Sequence, residues 1–121
     1  MSRLIYLAGA YSYNPEAAYE LHLSYTHQLM QSGLLVFSPI VHNHLLAKTY
    51  SLPADYTYWK KHNREMIMRC NELYVMTEKG WEASKGTQYE MEVADEHNIP
   101  IRYIRMYNNK IYVQLMKCSM L

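Results

Sequence analysis

Cysteine, phenylalanine, long apolar runs and any excess of one charge are what this sequence has least of. Two cysteines, Cys70 and Cys118, are too few and too isolated for a disulfide framework or a cysteine-based zinc site. A reducing cytoplasm is the expected compartment. Lys and Arg number 12 against 11 Asp and Glu, and a formal charge of +1 offers no basic face to a nucleic-acid polymer. No window approaches the ~18 apolar residues of a membrane span. Arg3 is followed only by a short apolar run, which is not the architecture of a secretory leader. Repeats and low-complexity linkers are missing too, so residues 1–121 are expected to form one domain with a core large enough to need no staples. Against the single phenylalanine stand 13 tyrosines and nine methionines. Much of that tyrosine must be half-buried with its hydroxyl wet, in a core margin, a subunit interface or a ring-binding pocket.

The chain is organised around Asn71 to Ala94. Leu73-Tyr74-Val75-Met76 has the length and character of a buried strand. A polar loop with two glycines follows, and from about Ser84 to His97 the spacing becomes helical. A strand feeding a Gly-containing loop that opens a helix is a common frame for a small-molecule site, because the helix N-terminus offers free N–H groups to an anion. Ser84, Gly86, Thr87 and Glu90 are the candidate residues of this stretch.

Leu4 to Ala8 reads as a first strand, and Gly9 to Asn14 as the loop after it. Pro15 suits the first turn of a helix capped by Asn14; Ala18, Leu21, Tyr25 and Leu29 give that helix an apolar face, and Gly33 ends it. Leu34 to Phe37 is a second short strand, completing a βαβ unit that implies a parallel sheet with a right-handed crossover. Ile40 to Asp55 is the least regular region, with Val41-His42-Asn43-His44 expected to precede a short helical piece. Asp55 is a good N-cap for a helix carrying Tyr58, Trp59, His62, Met66 and Ile67. After Asn98-Ile99-Pro100, Ile101 to Ile104 is a fourth strand; Asn108-Asn109 suggests a hairpin turn into a last strand from Lys110 to Met116. The expected fold is α/β, a flavodoxin-like or Rossmann-like open, mostly parallel sheet of about five strands with helices on both faces.

With Tyr6-Leu7-Ala8-Gly9-Ala10-Tyr11 at the front and Gly86-Thr87-Gln88-Tyr89-Glu90 at the centre, the chain resembles the nucleoside 2-deoxyribosyltransferase superfamily. Phe37-Ser38-Pro39-Ile40-Val41-His42-Asn43-His44, Leu52-Pro53-Ala54-Asp55 and Gly80-Trp81-Glu82-Ala83-Ser84-Lys85-Gly86 liken it to a short bacterial and phage branch. The resemblance spans roughly Leu4 to Ile104. It implies a flavodoxin-like sheet, a site at the carboxyl ends of the strands, and N-glycosidic chemistry on nucleosides or their 5′-monophosphates, without a cofactor. Glu90 would correspond to the nucleophile, and Gly9 to Tyr13 would lie beside base and sugar. Ser84, six residues before Glu90, resembles the branch that hydrolyses deoxynucleoside 5′-monophosphates; the transferases tend to carry an acid there. Asn63 stands where the family has an aspartate on a sugar hydroxyl, and Cys70-Asn71 where it has Cys-Asp. An amide still donates and accepts but carries no charge. The resemblance also implies an even-numbered homo-oligomer, a homodimer or larger, with shared sites.

Cleavage of an N-glycosidic bond builds positive charge on the anomeric carbon, which a carboxylate can stabilise or capture covalently. Locally, however, Thr87 to Glu90 also fits a capping box in which the carboxylate only satisfies a backbone N–H. Ser84 and Thr87 can be ordinary caps or, flanking Gly86 at a helix start, a phosphate cradle. Trp81 can stack on a base or merely pack, Tyr11 and Tyr13 are pocket candidates in their loop, and Tyr6, mid-strand, reads as core. His42 and His44 can protonate a leaving base if their loop folds inward. His42, His44 and His62 lack the acidic or thiol companions of a metal site, so no metal is expected. Arg102, Tyr103, Arg105 and Tyr107 can reach a neighbouring subunit's site or form a solvated edge. Three functions remain open at this point: an N-glycosidase of (2′-deoxy)nucleoside 5′-monophosphates, a deoxyribosyltransferase, and a catalytically silent nucleotide-binding protein.

Overall fold

The computed structural model describes residues 3–53 and 55–114. Five strands form one open sheet: β1 (Leu4–Ala8), β2 (Leu35–Phe37), β3 (Glu72–Met76), β4 (Ile101–Tyr107) and β5 (Lys110–Gln114), in the order β2-β1-β3-β4-β5. The first four run parallel, and β5 returns antiparallel along β4. The fold is thus the flavodoxin-like α/β sheet that the alternation of strand and helix signals predicts. Cys118 and the expected end of the last strand, Leu115 and Met116, lie outside the described residues.

Period-two alternation along β1 divides the core. Ile5 and Leu7 face one side, where Tyr25 and Leu29 of α1 (Pro15–Gln31) cover them together with Tyr74, Met76 and Ile104. Tyr6 and Ala8 face the other, beneath Ile67 of α3 (Tyr56–Met68) and Met91, Val93 and Ala94 of α4 (Lys85–Glu96). Because both faces are covered, β1 and β3 are buried throughout, apart from the first residue of β1. Each such Ile or Leu contributes roughly 1.5–3 kcal/mol relative to exposure.

The termini of the helices follow the sequence. Asn14 caps α1 through Ala17 N, with Pro15 at the first position and Gly33 at φ +96° after the end. The Asn108-Asn109 turn has both residues at positive φ, 49° and 61°, the geometry a two-residue hairpin needs. The middle of the chain differs from expectation. It forms a full helix, α2 (Pro39–Tyr50), that already contains Val41 to His44. Ser38 accepts from Val41 N and Pro39 occupies the first turn, so the Ser-Pro pair that stops β2 also starts α2. Among the described residues no helix is long and apolar enough to cross a membrane.

One polar link ties helix, sheet and loop together. The Tyr25 hydroxyl on α1 donates to Glu78, just past the end of β3, and accepts from Met106 N in β4 at 2.9 Å. Burial and the Glu78 carboxylate push the Tyr25 phenol well above its ordinary range, so it stays protonated and donating. Tyr25→Phe is expected to lower stability by about 1–3 kcal/mol, since both partners lose a part-buried bond. Urea unfolding checks this, with unchanged stability as the contrary result.

Candidate functional site

In a sheet of this order, the connections leaving β1 and β3 turn to opposite faces, and a crevice opens outside their carboxyl ends. The structure has a cavity of about 950 Å³ there, bounded by the Gly9 to Tyr13 loop, the amino half of α2, the start of α3, the Glu78 to Gly80 loop and the first turns of α4. Of the sequence candidates, Gly9, Tyr11, Tyr13, Asn63, Ser84, Gly86, Thr87 and Glu90 line it together.

Two do not. Trp81 lies in a short 3-10 turn, Trp81–Ala83, that rolls its indole inward onto Tyr103, 5.8 Å between rings, where it is buried in the core. His42 is exposed on α2 and stacks on His62 at 5.4 Å, with Phe37 beside it. A helix in place of the expected loop rotates His42 outward and His44 inward, and it is His44 that lines the cavity. Asn71 is also remote. It precedes β3 at the amino end of the sheet, where its side chain accepts from Leu4 N at 2.7 Å. Among the described residues no three His, Cys, Asp or Glu side chains converge as metal ligands would.

Glu90 is the centre of the cavity floor. Ser84, not Thr87, caps α4, accepting from Thr87 N at 3.2 Å, so the capping-box reading of Thr87 and Glu90 falls away. Glu90 lies a turn further in, 4 % exposed, and its Oε2 takes all its bonds. The Tyr6 hydroxyl donates at 2.6 Å, and the Tyr56 hydroxyl and Asn63 Nδ2 donate at 3.4 Å each. Oε1 is left for the cavity. Tyr6, read from the sequence as core, is both: its ring packs under α4 while its hydroxyl reaches the carboxylate. Period-two alternation finds the buried ring but is blind to the tip.

Burial pushes the Glu90 carboxyl up to about 7, against the bonds from Tyr6, Tyr56 and Asn63, which favour the charged form. Burial and the neighbouring carboxylate in turn push both tyrosines well up, so both remain donors. Asn63 is itself oriented. Its Oδ1 accepts from Asn43 Nδ2 at 3.4 Å and lies 3.4 Å from His62 Nδ1, while Asn43 Oδ1 is 2.6 Å from His42 Nδ1. Since a carboxylate only accepts, this chain presents the Asn63 amide, not its carbonyl, to Glu90.

Two glycines are required by close approach. A Cβ on Gly9 would stand 2.9 Å from His22 Cε1, and one on Gly86 3.0 Å from the Tyr56 ring. His22 is fully buried behind the first loop. Its Nε2 is 3.2 Å from Ala10 O and must donate, so Nδ1 is bare and finds no partner. Burial pushes the imidazole down to about 4, and it stays neutral. Thr87 Oγ1 is likewise buried without a partner, at the foot of the α4 N-terminus.

A carboxyl raised on folding makes the native state hold a proton that the unfolded chain releases near pH 4.5. The stability that Glu90 contributes is therefore lost as pH rises from about 4.5 to about 7, by on the order of 3 kcal/mol. Glu90→Gln keeps an acceptor for Tyr6 and removes the titration. It is expected to leave stability little changed at pH 4.5 and to raise it by roughly 1–3 kcal/mol at pH 8. Urea unfolding at the two pH values measures this; a variant less stable than wild type at pH 8 contradicts it.

No curated protein matches the chain. The strands and helices that enclose the cavity all fall within residues 3–106, and across that span the chain belongs to the family described as Domain of unknown function (DUF1937).

Proposed function

We propose that this protein is an N-glycosidase that cleaves the base–sugar bond of nucleoside 5′-monophosphates, chiefly 2′-deoxy, with Glu90 as nucleophile. The observation that carries the reading is the buried Glu90 carboxyl, held by three donors on Oε2 with Oε1 turned to a 950 Å³ cavity. Departure of the base leaves positive charge on the anomeric carbon, and Oε1 captures it as a glycosyl ester that water then opens. A 2-deoxy sugar ionises more readily, because it lacks an electron-withdrawing hydroxyl. Desolvation makes Glu90 a stronger base and nucleophile than a wet carboxylate, at the cost of being protonated through half of the population near pH 7.

The rest of the cavity suits a nucleotide. The Lys85 and Gly86 N–H groups open α4 without intrahelical partners, and the unpaired Thr87 Oγ1 lies beside them, together a cradle for a phosphate dianion. Asn63 has its carbonyl occupied by Asn43 and His62, so its second amide proton is what it offers a sugar oxygen. The YLAGAY and SKGTQYE segments that resemble the nucleoside 2-deoxyribosyltransferase superfamily supply Tyr6, Tyr11, Ser84, Thr87 and Glu90 to this arrangement.

Incubation with a panel of ribo- and deoxynucleosides and their 5′-monophosphates, read as free base, tests the reading. Release is expected from monophosphates, with the acid limb of its pH profile near 7, where Glu90 loses its proton. Glu90→Ala is expected to cut it at least about a thousandfold. Full activity of that variant would sink the proposal. A second free base, added to the mixture, separates hydrolysis from base exchange.

A further inference from the structure

Cleavage at Glu90 leaves an electron pair on the departing base, and something must protonate it. None of the groups bonded to Oε2 is free to do so, because the Tyr6 and Tyr56 hydroxyls already point at the carboxylate. Another phenol lines the same cavity. Tyr11 leaves the β1 loop with its hydroxyl 2.6 Å from His44 Nδ1 on α2, and both residues line the cavity. Behind the ring, His44 Nε2 is buried without a hydrogen-bond partner, 3.0 Å from Glu16 Oε2 but off the alignment of a bond. Tyr19 of α1 stacks on the imidazole at 4.1 Å and 16°, fixing its plane. Lys48 approaches the other Glu16 oxygen at 3.7 Å. Glu16 itself is 67 % exposed, so the row runs from solvent to the cavity.

We propose that Tyr11, backed by His44 and Glu16, is the acid that protonates the departing base. This rests on the glycosidase reading of Glu90 and supplies the group that reading lacks. The direction of the Tyr11–His44 bond decides whether the phenol is available. With His44 neutral and its proton on Nε2 toward Glu16, the Tyr11 O–H must point at Nδ1 and is lost to the cavity. With His44 doubly protonated, Nδ1–H donates to the phenol oxygen and Glu16 supplies the counter-charge at Nε2. The Tyr11 proton then turns to the cavity.

The step balances. The C1′–N bond breaks and its electron pair stays on the base, while a Glu90 oxygen forms the new bond to C1′. The Tyr11 proton moves to the base, and the His44 Nδ1 proton moves to the Tyr11 oxygen. Water that opens the glycosyl ester releases one proton, and the row through exposed Glu16 returns one to His44. Burial and the Glu16 charge both raise the Tyr11 phenol above its ordinary range, which keeps it from idling as a phenolate.

Acid assistance is distinguished from mere packing by the leaving group. From a 4-nitrophenyl 2-deoxyriboside 5-phosphate the nitrophenolate departs without a proton, whereas a nucleobase needs one. Tyr11→Phe is expected to lower kcat at least about a hundredfold on deoxynucleoside 5′-monophosphates and less than about tenfold on the nitrophenyl compound. His44→Gln is expected to follow the same split, with unchanged melting temperature for both variants. Equal losses on both leaving groups, or none on either, would overturn the role of Tyr11 while leaving Glu90 as nucleophile. A wild-type protein inert toward both would overturn the glycosidase reading, and this assignment with it.

Discussion

The bond from the Tyr6 hydroxyl to Glu90 joins the two halves of the molecule, and much of the rest is arranged so that it can exist. It spans 84 positions of sequence, from the middle of β1 to the second turn of α4. A tyrosine ring buried under a helix needs a partner for its hydroxyl, and a carboxylate buried without donors costs several kcal/mol. Each solves the other's problem. The solution holds only if β1 is straddled by strands on both sides and α4 is pulled down onto its face by Met91, Val93 and Ala94. The proton affinity of Glu90 is therefore a property of the whole α/β packing rather than of a local motif.

Around that bond the cavity wall divides by origin. The β1 loop brings Gly9 and Tyr11, α2 brings His44 and Asn43, α3 brings Tyr56 and Asn63, and α4 brings its own first turn. The contributions are tied laterally as well as to the sheet. Asn43 on α2 holds Asn63 on α3, which holds Glu90 on α4. A second row, Tyr11 to His44 to Glu16, passes from the first loop through α2 to α1. Four helices and a loop are thereby tied by polar contacts at the carboxyl end of the sheet.

Much of this was legible in the sequence, for reasons that can be named. Glu90, Ser84 and Thr87 follow a strand and a glycine loop, and that local grammar places them at a helix start outside a strand end. Asn63, Gly9, Tyr11 and Tyr13 were reached through the order of motifs along the chain. The failures have equally specific causes. Val41 to His44 looked irregular because four consecutive residues carry no apolar period, and the stronger signal was the Ser38-Pro39 pair ahead of them. With the helix in place, His42 and His44 are two residues apart on a 100° wheel, so only one can face inward. Trp81 takes the packing alternative, because a polar loop conceals the 3-10 turn that rolls its indole onto Tyr103. Tyr6 has the buried ring that alternation predicts, and its bond to Glu90 is not legible there, since burial patterns report rings and not the atoms at their tips.

The contact between Gly9 and His22 carries a consequence for how such a sequence can drift. The imidazole and the Met76 sulfur, 2.9 and 3.0 Å away, crowd the space in which any side chain at position 9 would begin. A methyl there needs the imidazole and the Met76 side chain both to give way, and a smaller residue at 22 abandons the Ala10 carbonyl that His22 Nε2 holds. Neither change is tolerable first unless the loop finds another support, so position 9 is coupled to position 22 and to Met76 together. Among relatives that have crossed that barrier, a side chain at position 9 should coincide with a residue other than histidine at position 22, and with a differently supported first loop.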